Sequence, residues 1–294
     1  MADRRKVGGL LIVATPIGNL DDLSPRAAAA LRDADLVACE DTRRTATLLR
    51  HAGSSTPMLP VHQHNEAARA LDLVRRIHEG ATIALVSDAG MPGISDPGGR
   101  VIEAALDAGI VVTVIPGPSA VEAALVASGL PAEPFAFVGF FPRKAGERAA
   151  LFAQYAAWPG SLVGFESPRR IGALLTALAD VAPDRHVAVC RELTKMHEEV
   201  VRGTADELAA RFAEAPYGEV TVVIGPAAVP VDVEGDRVAS GVAVLLDAGL
   251  SPARAADAIA RLGIGARNAA YRAALSSANR NENEASGNEG SVKE

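Results

Sequence analysis

The sequence predicts an α/β protein: two sheet-centred domains followed by a short all-helical segment. Three observations carry that expectation. Apolar β-rich runs alternate with helical patterns along most of the chain. Runs such as "TIALV" and "IVVTVI" are continuously hydrophobic, as strands covered on both faces are. Aromatic residues make up only 4% of a chain that is 49% hydrophobic, so Ala, Val and Leu must fill the cores, a small-residue packing of helix on sheet.

Taken in order, "GLLIVAT" is the first strand, and Ser24-Pro25 starts a helix by placing a capping hydroxyl before a proline suited to the first turn. "LVACE" and "TIALVSD" follow as strands, with Gly53 and Gly80 as helix stops between them. Asp96-Pro97 starts the next helix, Gly109 ends it, "IVVTVIPG" is a strand, and Gly117-Pro118 opens a helix that stops at Gly129. The strands "FAFVGF", "SLVGFES", "HVAVCRE" and "EVTVVIG" come next, with helix starts at Ser167-Pro168 and at the capping box Thr204-Ala205-Asp206-Glu207. A change of character near 117–130 divides an N-terminal domain, 1–117, from a second α/β domain, 118–227. "PAAVPVDVEGD" reads as a linker, and 236–276 as a helical segment whose Gly-Leu-Ser-Pro turn suits a helix-turn-helix or a plain three-helix cap equally. Residues 277–294 are polar and nearly free of apolar side chains, and disorder is expected there.

Composition removes several function classes. No run is long and apolar enough for a membrane span, and the first residues lack the features of a secretory signal, so a cytoplasmic protein is expected. Cys39 and Cys190 cannot make a disulfide framework and read as buried small hydrophobes. A net charge of −7 is the wrong sign for coating nucleic acid, so any such contact must be local, with Arg43-Arg44, Arg143-Lys144 and Arg169-Arg170 as candidate patches. The dinucleotide fingerprint, the P-loop and the hydrolase elbow are all missing. His62 and His64 have no further ligand cluster, so no metal site is expected.

Open α/β sheets bind ligands at the carboxyl ends of their strands. The segment "SDAGMPGISDPGG" at one such end combines glycines that permit close approach or positive φ with prolines that stiffen the path. The helix after Asp96-Pro97 should present free N–H groups at the same rim. A loop of this kind suits a small ligand gripped through the main chain.

Together with "VATPIGNLDD", "CEDTRRT", "PGPSA", "FESPRR", "RELTKMHEE" and "GEVTVVIG", in this order and spacing, that segment resembles the small-subunit ribosomal RNA methyltransferases of the tetrapyrrole methylase superfamily, the class III S-adenosylmethionine-dependent methyltransferases. The resemblance runs from about Leu10 to Gly225. It implies two α/β domains of the tetrapyrrole methylase type with S-adenosylmethionine in the cleft between them, a homodimer, and 2′-O-ribose methylation of a decoding-centre cytidine, with small-subunit rRNA or the assembled 30S subunit as partner. The superfamily's tetrapyrrole branch usually carries Gly-Gly-Asp-Pro in the loop, where this chain has Ala89, Gly90, Met91 and Pro92. Met91 and Gly93 also depart from the family's commoner Thr and Leu. By the same resemblance Ala89, Gly90, Met91, Ile94, Ser119, Ala120 and Phe165 would hold the cofactor, with the strand at 219–224 nearby.

Methyl transfer to a ribose hydroxyl calls for alignment, exclusion of water and an acceptor for the hydroxyl proton. Glu166, Glu192 and Lys195 follow strand ends and are the catalytic candidates, each also able to serve only in an ion pair. As a base Lys195 would need a lowered pKa; as a cation it would hold phosphate. Asp41, Arg43, Arg169 and Arg170 are the candidates for substrate contact. Two other readings compete: a methyltransferase of tetrapyrroles or other small molecules, and a catalytically silent RNA-binding assembly factor on the same fold.

Overall fold

The computed structural model describes residues 8–227 and 233–288. Residues up to Ala227 form one compact unit that carries two five-stranded sheets, and the helices beyond form a second unit.

The first sheet has strands β1 (Gly9–Val13), β2 (Leu36–Cys39), β3 (Met58–Pro60), β4 (Thr82–Leu85) and β5 (Val112–Ile115) in the order β3-β2-β4-β1-β5. All its pairings are parallel. Five helices accompany it in sequence: α1 (Pro25–Asp33), α2 (Thr42–His51), α3 (Glu66–His78), α4 (Gly99–Asp107) and α5 (Ala120–Ser128). Parallel strands need such crossovers, which bring every strand's carboxyl end to one edge. β4, in the middle of the sheet, is covered as its apolar run predicts. β5 is not: it is an edge strand with Val114 50% exposed, because hydrophobic content alone does not fix a strand's place in the sheet.

The second sheet has β6 (Phe135–Phe140), β7 (Ser161–Glu166), β8 (His186–Arg191), β9 (Glu199–Thr204) and β10 (Val220–Ile224) in the order β6-β7-β10-β8-β9. Only β6 and β7 are parallel, and the other pairings are antiparallel. Helices α6 (Ala145–Gln154), α7 (Ile171–Ala179) and α8 (Ala205–Arg211) belong to this half. Its core joins Leu162, Ile171, Leu174, Leu175 and Val222. A smaller cluster joins Ile17, next to β1, to Ala124 and Leu125 of α5 and to Val163, Ala188, Cys190 and Val223 of the second sheet, and so closes the seam between the sheets.

Helix ends follow local chemistry. Ser24 caps α1 with proline in the first turn, Thr204 makes a complete capping box at α8, and Gly53, Gly80, Gly109 and Gly129 have positive φ just past helix ends. Three expected starts fall two or more residues too early. α4 starts at Gly99 and not at Pro97, α5 starts after Ser119, whose hydroxyl accepts from the Glu122 N–H, and α7 starts at Ile171. In each case the proline lies in the loop ahead of the cap. The later unit has α9 (Val233–Asp247), α10 (Pro252–Arg261) and α11 (Arg267–Asn288), packed through Val242, Ala256, Ile259 and Ala270. α11 thus runs past residue 276, and 289–294 lie outside the described residues. No described helix is long and apolar enough to cross a membrane.

Candidate active site

The loop after β4 is pinned from two sides. Gly90, at φ +75°, pairs with Thr15 through both its peptide groups, with N···O distances of 2.9 and 3.1 Å. The Ser87 hydroxyl donates to the Gly90 carbonyl at 3.1 Å. At the far end Glu66, only 7% exposed, accepts the N–H groups of Gly98 and Arg100, both at 2.8 Å. The start of α4 is therefore not a free donor set at the rim, since a buried carboxylate from α3 occupies it. Gly90 likewise spends its own peptide groups on Thr15, so a ligand here meets the groups on either side of it.

Pinned in this way, the loop walls a cavity of about 340 Å³. Ala89, Gly90, Met91, Ile94, Ser119, Ala120 and Phe165 all line it, joined by Glu166, Asp96, Glu219 and Thr221. The seven residues expected to hold the cofactor thus come together in one space. Phe165 is held edge-on between Phe137 and Phe140, with centroids 5.1 and 5.5 Å away. Three carboxylates line the cavity and, among the described residues, no lysine or arginine does. A second cavity of about 410 Å³ shares Ile17, Ala89 and Glu219 with the first and reaches Arg44, Asp88 and Lys195.

The candidate catalytic groups are placed differently from one another. Glu166 ends β7 with its side chain 0% exposed; one oxygen meets Arg170 at 2.5 Å and the Ser167 N–H at 2.7 Å, while Oε2 is buried without a partner. Glu192 does not line either cavity. It accepts from Lys195 Nζ and from the Glu219 N–H, both at 2.9 Å, and these bonds hold its carboxyl below the usual range. Lys195 also reaches Glu219, at 3.0 Å. Burial works to lower the Lys195 pKa, but Glu192 and Glu219 outweigh it and the net shift is upward. The lowered value that a lysine base needs is absent, and Lys195 is a cation.

Of the substrate candidates, Asp41 caps α2 and binds Arg43, whose hydrogen bonds lower the Asp41 pKa to about 2. The Arg43 side chain is 89% exposed. Arg169 is also exposed, but Arg170 turns inward to Glu166 and does not face solvent as an anion contact would, because a buried carboxylate four residues earlier needs a counter-charge. Asp41, Arg43 and Arg169 line neither cavity. Arg44, one residue further on, does, 3.6 Å from Asp88.

The sequence signals do not single out Glu66, Asp88 or Asp96 as site residues, and Glu219 enters only as the start of the strand expected near the cofactor. Asp96 stands in the loop motif, where the Asp96-Pro97 pair suits a helix cap, but the cap of α4 is Gly98. In the structure Asp96 lines the cavity, and burial followed by the charges of Glu40, Asp88 and Glu219 raises its pKa to about 6. No signal marked Glu66, which lies 32 residues from its partner Gly98. Cys39 and Cys190 are both buried with raised pKa values, Cys190 at about 11, so neither thiol is reactive. No metal-binding group of His, Cys, Asp and Glu occurs among the described residues.

Residues 9–209 match the family model of Tetrapyrrole (Corrin/Porphyrin) Methylases. The chain is 48% identical over 227 residues to Ribosomal RNA small subunit methyltransferase I of Mycobacterium tuberculosis, covering 75% of this chain and 79% of that one. It is 40% identical over 233 residues to the protein of the same name from Streptococcus pyogenes, covering 79% and 81%. Among solved structures it is similar to uroporphyrin-III C-methyl transferase from Thermus thermophilus complexed with S-adenyl homocysteine, with a TM-score of 0.53 at 20% identity over 74% of this chain and 96% of that one. That likeness is one of fold.

Proposed function

The chain belongs to the tetrapyrrole methylases and, within them, to the ribosomal RNA small subunit methyltransferase I proteins, and from that membership we propose that it methylates small-subunit rRNA with S-adenosylmethionine, on the ribose 2′-oxygen of a decoding-centre cytidine. The observation that carries the reading is the convergence of the loop, Ser119-Ala120, Phe165 and Glu166 on one cavity.

The residues present fit the donor. The cavity is of small-ligand size, largely apolar, and lined by carboxylates suited to a cation. The orphaned Glu166 Oε2 is an acceptor in need of a donor group, which an amino-acid ammonium or a ribose hydroxyl supplies. When bound, S-adenosylmethionine supplies a methyl group already activated by its sulfonium charge. The chain's own work is then to align, desolvate and move one proton. Ala89, Met91, Ile94 and Ser119 would flank the donor, Phe165 would pack against it, and Val220 would back the site from the second sheet. Glu192 and Glu219 hold Lys195 in the neighbouring cavity, where its charge meets RNA phosphate. Exposed Arg43 and Arg169 extend that contact outside the cavities, and a homodimer would join two such surfaces into one track.

The experiment is to map ribose methylation on small-subunit RNA from cells lacking the protein, with and without re-expression, alongside calorimetry of the pure protein with S-adenosylmethionine. Loss of one ribose methyl on a decoding-centre cytidine, restored on re-expression, is the expected result. An unchanged methylation map refutes the substrate, and donor binding without any transfer to RNA favours the silent assembly factor.

A further inference from the structure

The proposed transfer needs an acceptor for the hydroxyl proton, and the carboxylates at the cleft are not equivalent. Four line the two cavities: Asp88, Asp96, Glu166 and Glu219. Asp88 accepts the Asp41 N–H and faces Arg44, Glu166 is tied to Arg170, and Glu219 is tied to Lys195. Asp96 alone has no hydrogen bond or ion pair with a described residue.

Building on the function proposed above, we infer that Asp96 is the general base of the reaction, taking the proton of the attacking ribose hydroxyl onto its carboxylate. As the oxygen–carbon bond forms, the proton passes to Asp96 and the donor's carbon–sulfur bond breaks with its electron pair left on sulfur. The products are a methyl ether, a neutral thioether and a neutral Asp96, so charge and atoms balance.

The backbone fixes where this carboxylate stands. Ser95 sits at φ +63°, a left-handed conformation that costs a residue with a side chain and persists only where its surroundings impose it. Pro97 restrains the next φ, and Gly98, at φ +130°, is held by Glu66. Strain on one side and a buried anchor on the other hold Asp96 against the cavity. The facing charges are Glu40 after β2, Asp88 in the same loop with Arg44 beyond it, and Glu219 before β10 with Lys195 beyond it. Burial and the three carboxylates bring Asp96 to about 6, so it is ionised at neutral pH yet basic enough to accept a proton.

The test compares wild type, Asp96→Asn and Asp96→Glu in three measurements. Single-turnover methyl transfer to small-subunit rRNA should fall at least about 100-fold in Asp96→Asn with the donor Kd within about threefold of wild type, and Asp96→Glu should recover part of the rate. The wild-type rate should rise with pH through a limb near 6 that Asp96→Asn lacks. Thermal melting of the ligand-free protein gives a readout independent of turnover. The folded pKa lies above the unfolded one, so ionising Asp96 costs stability as pH rises from about 4 to about 6, and the cost persists above that. Asp96→Asn should therefore melt higher than wild type at pH 8, with the gain disappearing near pH 4. Transfer by Asp96→Asn within threefold of an active wild type, or a surviving pH limb, overturns the base assignment while leaving the function standing. A wild type that methylates no small-subunit rRNA overturns the function and this inference with it.

Discussion

Glu66 offers a direct test of whether the loop is preorganised. Its carboxylate accepts two backbone N–H groups at 2.8 Å, those of Gly98 and Arg100, from a position almost closed to solvent. Hydrogen bonds to a charged group contribute about 1.5–3 kcal/mol each, and neutral ones about 0.5–1.5. Glu66→Gln keeps an acceptor at lower strength and should cost roughly 2 kcal/mol, while Glu66→Ala loses both bonds and should cost about 3–5 kcal/mol. The cost falls first on the loop and the first turn of α4, because Leu73, Ile77, Val101 and Ala105 still pack the bodies of α3 and α4 on the first sheet. Hydrogen exchange at the Gly98 and Arg100 amides should accelerate ahead of global unfolding. An open loop lowers the binding-competent fraction, so the donor Kd should rise about tenfold or more in Glu66→Ala, with Glu66→Gln in between. The measurements are urea denaturation, amide exchange by NMR and calorimetry with S-adenosylmethionine. If Glu66→Ala binds the donor within twofold of wild type while the two amides stay protected, Glu66 does not hold the loop.

Gly218 has φ +93°, and a Cβ there would come within 2.4 Å of the Glu192 carboxyl. Gly218→Ala should therefore displace Glu192, loosen Lys195 and cost about 1–3 kcal/mol in urea denaturation. Arg43→Ala removes an exposed cation from a solvated pair, so the midpoint of urea denaturation should stay that of the wild type, while the salt slope of RNA binding in a filter assay falls by about one. The charged donor should bind more weakly, but by no more than about threefold, as pH falls through about 6 and Asp96 is neutralised, whereas S-adenosylhomocysteine, which lacks the sulfonium charge, should change less; calorimetry of both ligands between pH 5 and 8 checks the difference.

The strands and most helix ends were legible because they rest on local signals: apolar runs, Ser24 and Thr204 as caps, glycines at helix stops. Two strands, β3 and β9, carry no such local signal. β3 is three residues long, and β9, Glu199–Thr204, carries polar residues through its length at a sheet edge. The cavity wall was legible because the resemblance supplied residues at strand ends, and strand ends share an edge by topology. The electrostatics were not. Whether Lys195 also reaches Glu219 and which carboxylate is left alone depend on contacts such as Lys195 with Glu219, 24 residues apart, and Asp41 with Asp88, 47 apart. No spacing rule reaches those distances.

Those same contacts explain how a chain of net charge −7 could serve a polyanionic substrate. Arg170 and Lys195 are each drawn toward carboxylates, and the first cavity keeps three carboxylates with, among the described residues, no lysine or arginine in its wall. An acidic cavity favours a sulfonium over its neutral product and disfavours a stray phosphate, because Coulomb terms grow as a bound ligand displaces water. On the proposed function RNA attraction falls to Lys195 in the second cavity and to surface charges such as Arg43, whose partner Asp41 orients the guanidinium without burying it. The two cavities share a boundary at Ile17, Ala89 and Glu219, where the acidic space meets one that also holds Arg44 and Lys195. A uniformly basic chain would bind RNA more tightly but would repel the sulfonium from the place where it must react.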